Sequence, residues 1–165
     1  MAISEHLRKV RAKVGHDLLL LPGVTALVIN DRNEILLHRS KDTGLWHTIG
    51  GIPDPGEEPA DAIVREVFEE AGVHVVPERV VGVYTTPLVT YPNGDEVIYT
   101  IIGFRCRPIG GEPHVHDDES LEVRYFARDE LPRDIRADIR LRIDHAFDPP
   151  REVYFAWSGS NRSCV

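Results

Sequence analysis

Three carboxylates stand close together near the middle of the chain, at Glu66, Glu69 and Glu70. The stretch from Gly51 to Val73 around them holds seven acidic residues and one basic residue. It therefore contributes most of the chain's net charge of −8. Like charges one helical turn apart repel by about 0.2 to 0.5 kcal/mol. Mg²⁺ and Mn²⁺ prefer hard oxygen ligands. The pattern therefore indicates a divalent metal site, with a solvated acidic helix face as the alternative.

The acidic stretch has the signals of a helix. Pro59 suits a first helical turn, Gly72 suits a left-handed position after the last turn, and neither residue type lies between them. We predict a helix over residues 59–71, with the glutamates at the edge of its apolar stripe. That stripe consists of Ile63, Val67 and Ala71.

The segment before this helix, TIGGIPDPGEE, is rich in glycine and proline. Gly50 and Gly51 predict a tight loop that brings backbone carbonyls and amides close to a metal or a phosphate. A glycine pair alone is more typical of an ordinary turn. Its position beside the glutamates favours the binding loop.

The spacing of these residues resembles the signature of the Nudix hydrolase superfamily. Its fixed positions fall here on Gly51, Glu57, Arg65-Glu66, Glu69-Glu70 and Gly72. Ile49 departs from the pattern, because many members carry proline there, and this affects only the local loop shape. The resemblance implies an α+β fold, an α/β/α sandwich with a mixed sheet. It also implies a pyrophosphohydrolase that cleaves a nucleoside diphosphate linked to another moiety by water attack on phosphorus.

The resemblance also implies roles for individual residues. Glu66, Glu69 and Glu70 are expected to bind Mg²⁺ or Mn²⁺ together with the Gly50 carbonyl, and Glu69 and Glu70 are also catalytic candidates. Glu57 and Arg65 are expected to form an ion pair that orients the loop against the helix. From its place on the helix, the Arg65 side chain is expected to point away from the three glutamates.

The general base is predicted in the loop HVHDDESLEVRYF. Glu119 is preferred, because some Nudix enzymes place a glutamate at a similar position, while Asp118 and Glu122 are rivals. Glu122 is alternatively a structural partner of the strand that follows. His114 and His116 in the same loop indicate either a zinc pair or two solvated histidines.

Substrate contacts are predicted at Arg39, Trp46 and Tyr91. Arg39 could meet a terminal phosphate or remain a solvated cation at a strand end. Trp46, Tyr91 and Tyr99 could stack on a base or belong to the core. In the family, a proline near Pro87 is associated with ADP-ribose and a tyrosine near Tyr91 with diadenosine polyphosphates, so the markers conflict. ADP-ribose or a nucleotide sugar is favoured slightly over oxidised or ordinary NTPs and dinucleoside polyphosphates, and a non-catalytic nucleotide sensor is a further alternative.

Other elements must position these residues. Hydrophobic periodicity predicts strands at 24–29 and 34–39, joined as a hairpin through NDRN, and a further strand at 121–127. Two more strands, 73–84 and 96–107, are predicted to be joined through Asn93-Gly94. Helices are predicted at 3–14 and 134–147 besides the acidic one. The mixed order favours an α+β domain.

Length and composition limit the remaining choices. The 165 residues fit one domain, 1–165, with an N-terminal helix at about 3–14 and a C-terminal tail from about 150. For the last eight residues of this tail, order and disorder are both left open. No apolar run is long enough to cross a bilayer. Cys106 and Cys164 do not suggest a disulfide framework, so a cytoplasmic location is expected. The chain has no Lys/Arg cluster, which favours a small nucleotide over long nucleic acid or a membrane as partner, and a homodimer is left open.

Overall fold

The computed structural model describes residues 4–149 and 152–157. They form three α-helices: α1 (Glu5–Val14), α2 (Pro59–Ala71) and α3 (Ala137–Phe147). The strands are β1 (Leu19–Val28), β2 (Glu34–Ser40), β3 (Trp46–His47), β4 (Gly50–Gly51), β5 (His74–Thr85), β6 (Val89–Thr90), β7 (Glu96–Gly110), β8 (Ser120–Ala127) and β9 (Tyr154–Phe155).

The strands build two sheets. The larger sheet has the order β4-β1-β7-β5-β9, with β6 pairing on β7. Strands β1 and β7 run parallel, as do β5 and β9, and the other pairs of this sheet are antiparallel. The smaller sheet, β3-β2-β8, is antiparallel throughout. The mixed sheet with three helices confirms the predicted α+β fold.

Strand β1 separates two hydrophobic cores. Val24, Ala26 and Val28 pack in the core that contains the apolar stripe of α2. The alternate residues Leu27 and Ile29 pack in a second core, which contains Ile139, Ile143 and Ala146 of α3. Successive side chains of a strand point to opposite faces of the sheet, so α2 and α3 cover opposite faces of β1. This is the α/β/α layering expected from the sequence.

The predicted hairpin through NDRN is only partly present. Asn30 N donates to Glu34 O at 3.0 Å, and Ile29 and Ile35 form one antiparallel bridge. Beyond that bridge, β1 and β2 diverge into different sheets. The reason is that β4 and β7 already occupy both hydrogen-bonding edges of β1.

The other predicted elements agree with the structure except at their ends. The Asn93-Gly94 turn joins the short strand β6 to β7, while β5 pairs with β7 over most of its length. Helix α3 begins at Ala137 and not at residue 134, because Ile135 forms a parallel bridge with Trp46. Residue 3 of the predicted first helix and the last eight residues of the tail lie outside the described residues.

Helix α1 is joined to the turn before β7 by charged groups. Ser4 caps the helix by accepting a hydrogen bond from Leu7 N at 3.2 Å. The buried carboxylate of Asp95 lies 3.4 Å from Arg11 Nε and 2.7 Å from His16 Nδ1. Arg11 Nη2 also donates to the carbonyl of Glu96 at 2.9 Å. These contacts hold α1 against the β6–β7 turn.

Within the described residues, no helix combines the length and the apolar character needed to span a membrane.

Candidate active site

Helix α2 presents its three glutamates at different depths. Glu70 is buried, with 6% of its surface exposed, whereas the Glu69 side chain is 55% exposed. Pro59 begins the helix, and Gly72 follows it with a left-handed φ of 67° and donates its N–H to Phe68 O. Helix α2 therefore has the bounds predicted from the sequence.

Arg65 lies among the carboxylates and does not point away from them, so that expectation is wrong. Its Nε and Nη2 each donate to Glu57 at 2.9 Å. Its Nη1 donates to Glu66 Oε1 and to Glu69 Oε2, both at 3.0 Å. The long side chain reaches one turn along the helix, where the i,i+4 carboxylate is a neighbour. Hydrogen bonding to Arg65 lowers the pKa of Glu57.

The pKa of Glu70 is raised well above its ordinary value. Burial is the largest cause, followed by the negative charges of Glu66, Asp117 and Glu119. A hydrogen bond from the Gly50 backbone acts in the opposite direction. Among the described residues, the buried Glu70 Oε2 has no hydrogen-bond partner. A buried carboxylate oxygen in that state is costly unless a positive charge or a donor arrives.

His38 lies close to Glu70 without neutralising it. Its Nδ1 is 3.3 Å from Glu70 Oε2, which by distance alone would count as an ion pair. Burial lowers the pKa of His38 to about 4, so the ring is neutral near neutral pH. The same nitrogen hydrogen-bonds with Ser120 Oγ at 2.9 Å, and the contact with Glu70 does not have hydrogen-bond geometry. We therefore treat this contact as proximity and not as a salt bridge.

The carboxylates fit a hard divalent cation. Glu66, Glu69, Glu70, Asp117 and Glu119 line one cavity of about 370 Å³. As the side chains stand, no three His, Cys, Asp or Glu residues of the described chain form a complete metal group. The donor chemistry nevertheless suits Mg²⁺ or Mn²⁺, since all these ligands are oxygens and Glu70 Oε2 lacks a partner.

The glycine loop approaches these side chains so closely that larger residues would clash. A Cβ on Gly51 would overlap the carboxylate of Glu66, and a Cβ on Gly50 would overlap the backbone carbonyl of Val24. Gly50 and Gly51 form β4 and pair with β1. This pairing fixes the segment beside α2, so the two glycines belong to a short strand at a close approach and not to the predicted tight loop.

The loop before β8 caps the C-terminal end of α2. The backbone N–H of His114 donates to Ala71 O at 3.1 Å, and that of His116 donates to Glu70 O at 3.3 Å. The ring Nδ1 of His116 also hydrogen-bonds with Phe68 O at 2.9 Å. Free helix carbonyls are thereby satisfied. Both residues thus help to cap α2, and no group of three possible His, Cys, Asp or Glu metal ligands is found in the part of the chain described here.

Glu119 lies where two neighbouring cavities of the described residues meet. It lines the carboxylate cavity and also a neighbouring cavity of about 430 Å³. Asp117 Oδ1 accepts hydrogen bonds from the backbone N–H groups of Glu119 and Ser120, each at 3.1 Å. Asp118 is exposed, and Glu122 Oε1 pairs with Arg124 Nε at 3.2 Å on the surface. Of the three candidates for the general base, Glu119 alone lines either cavity.

The predicted substrate contacts are not brought together. Tyr91 lines the larger cavity beside Tyr99, with 2.7 Å between their hydroxyl oxygens. Trp46 is wrong as a stacking residue, because it is 5% exposed and packs edge-on against Phe126 in the second core. Arg39 is turned to the β2–β3 turn, where its Nε donates to Gly44 O at 2.8 Å, and it lines neither main cavity.

Several residues of the site were missed in the sequence. Asp117 was passed over in favour of its acidic neighbours, although its spacing before Ser120 is typical of an Asx turn. Arg136, Asp138 and Arg142 also line the larger cavity. The isoleucines of the segment RDIRADIRLRID indicate a helix, while its arginines are a signal for an anion-binding surface.

Comparisons with known proteins agree with this architecture. Residues 19–146 match the NUDIX domain family. A MutT-like protein of Streptomyces ambofaciens is 30% identical over 76% of this chain and 76% of its own length. An NAD-capped RNA hydrolase of Pseudomonas putida is 35% identical over 67% of this chain, but the match spans only 38% of that protein. The crystal structure of an ADP-ribose pyrophosphatase from Streptococcus suis superposes with a TM-score of 0.60, at 26% identity over 76% of this chain and 88% of that one.

Proposed function

Since the chain belongs to the Nudix hydrolase family, we propose that it cleaves a nucleoside diphosphate linked to another moiety by metal-assisted attack of water on phosphorus. One observation carries this proposal. Glu70 Oε2, which is buried and has no hydrogen-bond partner among the described residues, lies among other carboxylates in a cavity that shares Gly50, Gly51 and Glu119 with a second cavity large enough for a small ligand. A chain with net charge −8 needs a cation there to accept a polyanionic substrate.

We propose that this cation is Mg²⁺ or Mn²⁺. Glu66, Glu69, Glu70 and the Gly50 carbonyl would hold it, and Asp117 is an additional oxygen donor in the same cavity. When bound, the ion supplies positive charge that offsets the diphosphate and the charge developing on phosphorus. Arg65 and Glu57 fix the approach of the loop to α2 through two hydrogen bonds of 2.9 Å.

Glu119 is proposed as the general base. Its place at the junction of the cavities puts it beside both the carboxylates and the substrate pocket. Asp117 holds the backbone of Glu119 in an Asx turn, which limits where the carboxylate can lie. The role requires Glu119 to accept the proton of the attacking water. Glu69 and Glu70 remain the other candidates for accepting this proton.

The larger cavity and two of the relatives support one substrate class. Tyr91, Tyr99 and Ile101 supply an apolar wall where a base can pack. The relatives named for NAD-capped RNA and ADP-ribose both act on a nucleoside diphosphate joined to another group. We therefore favour ADP-ribose or a nucleotide sugar over NTPs and dinucleoside polyphosphates. The single domain spanning 1–165, the cytoplasmic location and the homodimer stay proposals that rest on the sequence alone.

A substrate panel tests this function. Purified protein is incubated with ADP-ribose, nucleotide sugars, NTPs, oxidised NTPs, dinucleoside polyphosphates and CoA in Mg²⁺ or Mn²⁺, and the nucleotide products are measured. We expect a nucleoside monophosphate to be released from at least one diphosphate conjugate, and the release to stop in EDTA. The Glu70→Gln protein serves as the inactive control. Binding without turnover of any compound would instead support a nucleotide sensor.

A further inference from the structure

Arg136, the residue before α3, and Arg142 within α3 lie in the wall of the larger cavity, and neither lines the carboxylate cavity. Arg142 is buried, with 5% of its surface exposed, and its Nε has no hydrogen-bond partner among the described residues. Its Nη2 donates to Asp138 Oδ2 at 3.0 Å. Arg136 donates to the same carboxylate through Nε at 3.0 Å and Nη2 at 3.1 Å. One carboxylate thus orients both guanidinium groups beside the cavity.

This cluster has more positive than negative charge. Two arginines face a single aspartate, and His47 beside them is kept uncharged near neutral pH because burial, then the charge of Arg136, lowers its pKa. The cluster is also at the N-terminal end of α3, where Arg136 is the N-cap and no side chain caps the helix. Free N–H groups at such an end favour an anion.

Two further acids line this cavity. Glu119 is shared with the carboxylate cavity, and Asp42 is shared with a third cavity beneath α1. The lining of the larger cavity thus includes both Gly50 and Gly51, on the proposed metal side, and the arginine cluster at α3. A ligand that binds its diphosphate beside the two glycines can place another group at the arginines.

We propose that Arg136 and Arg142 form an anion subsite, which binds a second anionic group, phosphate or carboxylate, carried by the substrate beyond the cleaved diphosphate. The inference rests on the proposed function and narrows its substrate class. A purely structural pair would have its donors satisfied, because a buried guanidinium N–H without an acceptor is costly. Two guanidinium groups held by one carboxylate still offer donors that match the oxygens of a phosphate or a carboxylate.

Matched substrates that differ by one charged group test the subsite. UDP-glucuronate is compared with UDP-glucose for the carboxylate, and NADPH with NADH for the phosphate, by measuring kcat/KM. We expect the wild type to prefer the charged member of at least one pair. The Arg136→Gln protein should lose that preference by roughly tenfold or more, the scale of a charge-assisted hydrogen bond.

Two controls keep the result interpretable. Arg140→Gln removes the same charge from α3, but Arg140 is exposed and lines none of the three cavities described here, so the preference should be unchanged. Arg142→Gln is the more disruptive change because the side chain is buried, and Arg136, whose side chain is 37% exposed, is therefore the primary variant. Thermal melts verify that each variant is folded.

The outcomes separate this inference from the function on which it rests. If both members of each pair are hydrolysed and the Arg136→Gln protein keeps the wild-type ratio, the subsite is refuted while the hydrolase stands. If the wild type hydrolyses neither pair, its affinities for the same four nucleotides, measured by calorimetry, test the subsite instead. Tighter binding of a charged member that Arg136→Gln abolishes supports the subsite, and equal or absent binding overturns it.

Discussion

Glu70 combines burial, a raised pKa and an oxygen without a hydrogen-bond partner among the described residues, which is energetically costly for a side chain with only a structural role. We predict that Glu70→Gln lowers kcat by at least about 10²-fold, the loss found when one preorganised electrostatic group is removed, and leaves the fold intact. Steady-state kinetics in saturating Mg²⁺, together with circular dichroism, measure both effects. Turnover close to that of the wild type would rule out a catalytic role for this carboxylate.

Glu119 and Glu122 should respond differently to the same substitution. Glu119→Gln is expected to lower kcat by about 10² to 10⁴-fold, as for loss of a general base. Glu122→Gln removes only a surface pair with Arg124, and such pairs contribute at most about 1 kcal/mol to the free energy of unfolding. Kinetics and urea unfolding of both proteins provide the comparison. A larger catalytic loss for Glu122→Gln would reverse the two roles.

At the level of single residues, spacing predicted which carboxylates lie near each other but not what surrounds them. Glu66, Glu69 and Glu70 are neighbours because they belong to one helix, and helical geometry is local. Trp46 and Arg142 are different, because their surroundings come from distant parts of the chain. Trp46 packs on Phe126 of another strand, and Arg142 reaches a cavity whose other walls come from β1, β3 and β7. Periodicity indicates the face of an element but not its tertiary partner.

Among the elements, the β1–β2 connection shows the same distinction. Two β-branched and leucine-rich runs around NDRN are typical of a hairpin, and the turn itself forms. Whether the strands continue to pair depends on which other strands compete for the same edges. Strand β4 pairs with one edge of β1, and β7 pairs with the other edge. Strand β7 begins about seventy residues after β1 ends. A local sequence pattern does not show which strands compete for the same edge.

Helix α1 offers a test of one anchoring contact. The pKa of Asp95 is lowered, chiefly by its hydrogen bond with His16, so the ionised carboxylate stabilises the folded protein. This contribution is complete above the ordinary pKa of 3.8 and is lost as the pH falls through the lowered value in the folded state. We predict that Asp95→Asn speeds hydrogen exchange of the α1 amides at about pH 6 relative to wild type, and that the difference shrinks as the pH falls below the ordinary carboxyl pKa of 3.8.

The neighbouring Asp17 provides the control for that experiment. Its backbone carbonyl accepts a hydrogen bond from Arg11, but its carboxylate makes none of the anchoring contacts of α1. Asp17→Asn changes the net charge equally and should leave the exchange of α1 as in the wild type. Equal acceleration by both substitutions would attribute the effect to net charge and not to the Asp95 anchor.

For the whole molecule, the acidic site predicts how stability responds to metal. Burial raises the pKa of Glu70 above its ordinary value. At pH values above the ordinary carboxyl pKa, the ionised side chain therefore lowers the free energy of unfolding. Without metal, Glu70→Gln should therefore be as stable as the wild type or slightly more stable near neutral pH. Millimolar Mg²⁺ or Mn²⁺ should raise the melting temperature of the wild type, because a ligand that binds only the folded state stabilises it, and should raise that of Glu70→Gln less.

Thermal melts in EDTA and in added metal measure both effects, and the Glu69→Gln protein is compared in the same way. If a metal-free variant melts far below the wild type, or gains as much from metal as the wild type does, these glutamates are structural and the cavity is not a metal site.

The hydrogen bonds of Arg65 to Glu57, Glu66 and Glu69 also determine when these side chains lose their conformational entropy. A glutamate side chain that becomes fixed loses rotamer freedom equivalent to about 1.5 to 2 kcal/mol on common entropy scales. Here Glu57 and Glu66 are fixed when the chain folds, before any ligand arrives. A ligand that needs them in place meets side chains whose entropy has already been lost, and it binds more tightly for that reason. The affinity of the site is in this sense set partly by the folding equilibrium.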